Sequence, residues 1–288
     1  MKIAHSPQQV ERQPRAVAIG VFDGVHRGHR AVLEAVEQTG LAATVLTFDP
    51  HPRIALGNRV DLLTTLERRL ELLAEADVET TLVATFTPEL QQLPPEAFAE
   101  SYLRAIGAEA VVAGEDFRFG VRRSGDLALL ERLGFDVRVA PEVEGVSSTA
   151  IRSALAEGDV VAAAEMLGRP FELDGTVVAG HQRGGTLGFP TANLAVDAQL
   201  AVPRYGIYAG EALGHRAAVS IGTNPHYGGQ ERRVEAFLLD FAGDLYGRRL
   251  IVELWERLRD EAAFESEREL IEQIGRDVAQ ARAAVRPG

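Results

Sequence analysis

A chain of 288 residues with 46% hydrophobic and 25% charged residues is long enough for two ordinary domains and has the balance of a soluble globular protein. The absence of cysteine excludes disulfides, thiolate metal sites and a cysteine nucleophile, and no apolar run approaches the length that spans a bilayer, so a cytoplasmic location is expected. A net charge of −12 argues against a general nucleic-acid binder while leaving room for small anions at a local positive site, and lysine occurs only at Lys2, which closes the lysine-dependent P-loop route to ATP.

In chain order, residues 15–22, 41–48, 80–86, 109–114 and 135–140 are short apolar runs that read as strands buried on both faces. Between them, 30–38, 65–76, 95–106 and 125–133 read as helices, several with apolar residues at three- and four-residue spacing. This alternation predicts an α/β domain, Rossmann-like, with a parallel sheet covered on both sides. Two further helical stretches, 148–155 and 160–167, stop at Gly168 and Pro170, and the boundary is placed there, giving domains 1–168 and 169–288. Beyond it, runs at 174–179, 206–213, 217–221, 234–241 and 250–258 follow one another without helices, which predicts an antiparallel β-barrel or sandwich. A helix over 266–285 closes the chain, with Ser266 and Glu269 spaced as a capping box.

The first segment with chemistry is Gly20-Val21-Phe22-Asp23-Gly24-Val25-His26-Arg27-Gly28-His29. Histidines three apart at a helix start lie beside unpaired backbone N–H groups and the positive end of the helix dipole, which makes an anion site. Gly24 and Gly28 allow close backbone approach to a phosphate chain, and an imidazole can donate to charge building on a leaving group. Taken alone, His26 and His29 are equally compatible with ordinary surface histidines or metal ligands. With Thr47-Phe48-Asp49-Pro50-His51-Pro52, Ala113-Gly114-Glu115-Asp116-Phe117-Arg118-Phe119-Gly120 and Ser147-Ser148-Thr149-Ala150-Ile151-Arg152, the H-x-G-H segment resembles the FMN adenylyltransferase half of prokaryotic FAD synthetases over residues 15 to about 155. That resemblance implies attack of an FMN phosphate oxygen on the α-phosphorus of ATP. His26 and His29 would be catalytic, with Gly20, Phe22, Asp23, Gly24, Ser148, Thr149 and Arg152 at ATP and His51, Pro52 and Asp116 at the flavin. Many members carry a basic residue where this chain has Gly145, and Arg118, Arg122 or Arg123 are candidate substitutes.

The second segment is Gly184-Gly185-Thr186-Leu187-Gly188-Phe189-Pro190-Thr191-Ala192-Asn193-Leu194. Its glycines permit close approach to a polyphosphate, and Thr191 and Asn193, two apart in an extended segment, face the same way as oxygen ligands suited to Mg²⁺. A bare Pro-Thr-Ala-Asn is as compatible with a plain β-turn. Together with Tyr205-Gly206-Ile207-Tyr208, Ile221-Gly222-Thr223-Asn224-Pro225, Val234-Glu235-Ala236-Phe237, Asp240-Phe241, Asp244-Leu245-Tyr246-Gly247 and Leu258-Arg259-Asp260-Glu261 with Phe264, it resembles riboflavin kinase over residues 168 to about 280. The resemblance implies Glu235 as catalytic base, Thr191 and Asn193 at the metal, Gly185 at ATP and Arg259 at the flavin. Phe237 and His226 depart from the residues common at their positions, and neither change removes a ligand or base.

The combined expectation is an enzyme that phosphorylates riboflavin to FMN and adenylylates FMN to FAD, with Mg²⁺ and with ATP as co-substrate. Its partners would be riboflavin, FMN and ATP, with no nucleic acid, membrane or obligate protein partner. Two other readings stay open at this point: a kinase with a degenerate adenylyltransferase half, and a flavin-binding sensor without turnover.

Overall fold

In the computed structural model, which describes residues 1–179, 189–223 and 232–288, contacts group the chain into two units. The first is Met1–Val60 with Leu66–Val146, and the second is Asp61–Thr65 with Ser147–Gly288.

The first unit is built on six strands: β1 (Lys2–Ala4), β2 (Arg15–Ile19), β3 (Ala42–Asp49), β4 (Thr80–Thr85), β5 (Ala108–Ala113) and β6 (Asp136–Val139). They are all parallel, in the order β1-β4-β3-β2-β5-β6. Every residue of β2 is buried, because both faces of the sheet are covered. Ala16 and Ala18 face α1 (Arg27–Glu37) and α3 (Leu66–Glu75), through Leu33, Val36, Leu72 and Leu73. Val17 and Ile19 face the opposite core, with Phe98, Leu103, Ile106 and Leu130. The shorter helices are α2 (Pro52–Ala55), α4 (Pro88–Gln91), α5 (Pro95–Phe98) and α6 (Leu127–Arg132). Several details differ from the sequence reading, among them the one-turn helices α2 and α4, which lie outside the predicted helices. β1 is an additional edge strand too short to show a pattern, and 95–106 is not one helix but α5 followed by a π turn (Ala99–Leu103) and a 3-10 turn (Arg104–Ile106). From β2 the chain adds β3 and β4 on one side and β5 and β6 on the other, so the carboxyl end of β2 borders the topological switch point where open α/β sheets bind ligands.

The second unit is a closed antiparallel barrel of β7 (Phe171–Val178), β8 (Ala192–Val196), β9 (Gly206–Ala212), β10 (His215–Thr223), β11 (Arg232–Leu238) and β12 (Arg249–Arg259), in the order β10-β11-β8-β7-β12-β9. α7 (Ser148–Glu157) and α8 (Val160–Leu167) bury Ile151, Leu155, Val160 and Leu167 in the barrel's core. Contacts therefore divide the chain after Val146, earlier than the Gly168 boundary expected from sequence. Gly168 does end a helix, with φ 72, but that helix packs against the barrel strands that come after it in the chain. The short segment Asp61–Thr65 joins the same unit: Leu62 pairs its backbone with Gln199 and Ala201, and the Thr65 hydroxyl donates to Asp174 at 2.8 Å. Arg249 grips that carboxylate with two bonds of 2.8 Å. The last helix, α9 (Glu267–Ala283), is capped by Ser266, whose Oγ accepts from the Glu269 N–H at 3.3 Å; the Glu269 carboxylate accepts from the Glu265 N–H.

β9 and β12 approach so closely that a Cβ on Gly210 would overlap the Glu253 carbonyl oxygen. Backbone cannot yield as a side chain does, so Gly210→Ala is expected to cost about 1–3 kcal/mol. The sole tryptophan, Trp255, is buried in β12, and its fluorescence during urea unfolding reports this unit alone. An unchanged midpoint would contradict the close approach.

Candidate active sites

The loop after β2 is held by a buried arginine. Phe22, Gly24 and Val25 have φ of 56, 84 and 40, so the chain turns sharply from the strand into α1. The carbonyl of Val21 accepts from Arg69 Nη1 at 2.7 Å and from Thr47 Oγ1 at 2.9 Å, which ties the turn to α3 and β3. Arg69 also reaches the Phe48 carbonyl at 3.4 Å. Burial lowers the Arg69 pKa, and the charges of Asp23 and Asp49 act to raise it. Sequence reasoning missed Arg69, although the signal was present: it lies three and four residues before Leu72 and Leu73, on the apolar stripe of α3.

His26 is the N-cap of α1, and its Nδ1 accepts from the His29 N–H at 3.3 Å. The two imidazoles stack with centroids 3.7 Å apart and planes 14° apart, and the Phe22 ring lies 5.0 Å from that of His29. Gly28 leaves room for this arrangement, since a Cβ there would come within 3.2 Å of the His26 ring. Among the described residues, His29 Nδ1 is buried without a hydrogen-bond partner. Burial, followed by the neighbouring His26 and Arg69, holds the His29 pKa well below its ordinary value. At neutral pH the ring is therefore uncharged, with one N–H to donate.

The other expected residues of this unit gather along the same edge. His51 caps α2 after β3, with its Nδ1 accepting from the Arg53 N–H at 3.0 Å, and Pro52 is the first helical residue. Asp116 is exposed in the turn that follows β5. Thus Gly20, Phe22, Asp23, Gly24, His26, His29, His51, Pro52 and Asp116 all follow the carboxyl ends of the neighbouring strands β3, β2 and β5. Gly145 has φ 73, a backbone region that favours glycine. Arg118, Arg122 and Arg123 are exposed.

Ser148, Thr149 and Arg152 belong to the second unit, in the first turns of α7. The cap itself is Ser147, whose Oγ accepts from the Ala150 N–H at 3.1 Å. Arg152 Nε donates to the Asp61 carbonyl at 2.5 Å.

In the barrel, β8 and β11 pair so that Asn193 stands directly opposite Glu235. Thr191 lies two residues before Asn193 in the extended chain leading into β8. A cavity of about 300 Å³ beneath α9 is lined by Thr191, Arg233, Glu235 and Phe237 with Leu270 and Ile274 of the helix. A second cavity of about 340 Å³ is lined by Thr191, Ala192, Ala236, Phe241, Asp244 and Tyr246. Thr191 lines both, while strand alternation sends Glu235 to one and Ala236 to the other. Arg233 bonds to the Glu235 carboxylate and places its Nε 3.4 Å from Asn193 Oδ1. Arg259 lines the first cavity but grips the buried Asp277 of α9 with Nε and Nη2, at 2.9 and 2.6 Å, so its guanidinium fixes the cavity wall. Gly185, with the rest of 180–188, and the stretch 224–231 lie outside the described residues. Among the described residues no group of three or more His, Asp or Glu could hold a metal unaided. The hydroxyl and amide oxygens of Thr191 and Asn193 suit Mg²⁺, which commonly takes few protein ligands and completes its shell with water and substrate phosphate.

Comparison with known proteins covers both units. A family model described as FAD synthetase matches residues 8–154, and one described as riboflavin kinase matches residues 167–285. Relatives described as bifunctional riboflavin kinase/FMN adenylyltransferase include that of Listeria monocytogenes, 37% identical over 93% of this chain and 92% of its own. Those of Escherichia coli strain K12, 38% identical over 96% and 95%, and Bacillus subtilis, 34% identical over 94% and 93%, carry the same description. A crystal structure described as a macrolide-efflux protein from Streptococcus pneumoniae matches with TM-score 0.88 and 30% identity over 97% of this chain and 98% of that one. Among the described residues of this chain no helix is long and apolar enough to cross a membrane.

The lowered His29 pKa sets a direction for acid stability. As pH falls below about 6.5 the unfolded chain takes up a proton that the folded ring refuses, so the stability this group contributes above that pH is lost below it. His29→Gln should reduce the loss of thermal stability between about pH 7.5 and 5.5. Arg69→Met, which removes a neighbouring cation, should raise the titration midpoint of the His29 ring followed by NMR. An unmoved midpoint would show that Arg69 does not act on this imidazole.

Proposed function

The chain belongs to the bifunctional riboflavin kinase/FMN adenylyltransferase family, and from this we propose how its residues divide the work. It phosphorylates riboflavin to FMN and adenylylates FMN to FAD, using ATP in both steps. In our reading residues 1–168 carry the adenylyl transfer and residues 169–288 the kinase.

For adenylyl transfer, a phosphate oxygen of FMN attacks the α-phosphorus of ATP, the bond to the β-phosphate oxygen breaks, and pyrophosphate leaves with the electron pair. No protein nucleophile is needed, so catalysis is positioning and charge stabilisation. Neutral His29 donates an N–H toward the phosphates, while His26 caps α1 and orders the backbone donors of its first turn. Gly20, Phe22, Asp23 and Gly24 shape the ATP side of the edge, and Ser148, Thr149 and Arg152 hold the β- and γ-phosphates. His51, Pro52 and Asp116 face the flavin.

For the kinase step, the 5′-hydroxyl of riboflavin attacks the γ-phosphorus, ADP leaves, and Glu235 accepts the hydroxyl proton. The observation that supports this arrangement best is that Thr191 lines both cavities while Glu235 faces only the one beneath α9. We assign riboflavin to that cavity, whose Phe237, Leu270 and Ile274 suit a flat aromatic ring, and ATP to its neighbour. Arg259 shapes the flavin end through its hold on Asp277, and we assign Gly185 to ATP binding. Thr191 and Asn193 would hold Mg²⁺, which when bound neutralises phosphate charge. We also propose a cytoplasmic enzyme acting on small molecules alone, without a nucleic-acid, membrane or obligate protein partner, in keeping with a net charge of −12.

Purified protein given riboflavin, ATP and Mg²⁺ is expected to yield FMN and then FAD; FMN alone would identify a kinase with an inactive first unit, and neither product a binding protein. His29→Ala should slow FAD formation from FMN on the order of 10²- to 10³-fold while leaving FMN formation intact. Glu235→Gln should do the reverse, with a kinase loss on the order of 10² or more. Near wild-type rates in either variant would remove that residue from its role.

A further inference from the structure

Among the described residues two arginines line the cavity beneath α9, and they are committed differently. Arg259 gives Nε and Nη2 to Asp277 and Nη1 to the Asp260 carbonyl at 2.8 Å, which leaves it part of the wall. The hydrogen-bond partners of Arg233 are the two groups assigned to the chemistry: the carboxylate of Glu235 and the amide oxygen of Asn193. Strand geometry puts it there. Positions 233 and 235 share a face of β11, Glu235 lies opposite Asn193 on β8, and on the other side Arg233 stands opposite Gly222, which carries no side chain.

We propose that Arg233 is a γ-phosphate-binding residue of the kinase site, which holds Glu235 until ATP binds and then passes its guanidinium to the phosphate. The inference rests on the kinase reading of the barrel. A triphosphate carries more charge than a single carboxylate, and a guanidinium forks across two phosphate oxygens as readily as across two carboxylate oxygens. The exchange has two consequences at once. The cation moves onto the group whose charge must be stabilised during transfer, and the Glu235 oxygen it occupied is left for the substrate hydroxyl. The oxygen–γ-phosphorus bond then forms as the bond to the β-phosphate oxygen breaks, the electron pair departs with ADP, and the hydroxyl proton ends on Glu235.

The test uses the full chain with Arg233→Gln, Arg233→Lys and Arg233→Ala, measuring kcat and KM for riboflavin phosphorylation. FAD formation from supplied FMN serves as an internal control, because Arg233 has no part in that reaction. Arg233→Gln should lower kinase kcat on the order of 10²- to 10³-fold with the KM for riboflavin little changed, and Arg233→Lys should recover only part of it. Added guanidinium ion should raise the kcat of Arg233→Ala several-fold, an effect that a purely structural role would not produce. A kcat within about 3-fold of wild type in Arg233→Gln, or absence of guanidinium rescue in an Arg233→Ala protein whose Trp255 unfolding midpoint is unchanged, would overturn the proposal. Should the wild-type chain itself form no FMN, the kinase reading falls, and this inference with it.

Discussion

The proposed kinase site depends on one backbone register, the pairing of β8 with β11 that sets Asn193 opposite Glu235. Side chains on a strand alternate, so a slip of one residue would turn Glu235 into the apolar interior and bring Ala236, which is fully buried, to the outside. An unpaired carboxylate in that interior would be costly, and the hydrophobic pattern of β11 thereby enforces the position of the proposed base. Closure of the barrel holds the register from both sides, since β11 is also paired along its length with β10. The same pairing separates the two cavities, with successive residues of one strand facing each and Thr191 common to both.

A different constraint organises the first unit. A parallel sheet buried on both faces exposes its chemistry only at the strand ends, and here the loop after β2 must turn through left-handed conformations at residues other than glycine. Arg69 and Thr47 meet that demand by fixing the Val21 carbonyl from beneath. The same arginine supplies positive charge close to His29, so an interaction that holds the backbone also contributes to the protonation state of the ring above it. Stability and chemistry are joined through a residue that no substrate needs to touch.

Much of this was legible in the sequence, for physical reasons that can be named. Buried parallel strands announce themselves as apolar runs, and the change from helix-separated to consecutive strands marks the two architectures. The two motifs mark the ends of β2 and the entry to β8. What escaped depended on packing across long separations. α7 and α8 look like the end of the first domain because they come after its last strand and stop at Gly168, yet their apolar faces belong to the barrel's core. The apolar stripe of α3 marks Arg69 as inward-facing without stating which loop it meets, 48 residues away, and nothing in the neighbours of Arg233 along the chain states that it lies beside Asn193, 40 residues away. Arg259 lines the cavity beneath α9, and its bond to Asp277, 18 residues away, depends on α9 lying across that cavity.

In the proposed reactions one chain directs its flavin substrates onto two different phosphorus atoms of ATP, γ in the kinase step and α in adenylyl transfer, and isotope labelling distinguishes them. With riboflavin as the only flavin supplied, ATP labelled at the γ-phosphorus should place label in FMN and then in FAD, whereas ATP labelled at the α-phosphorus should label FAD and leave FMN unlabelled. Label from the α position in FMN, or FMN formed without label from the γ position, would contradict the account.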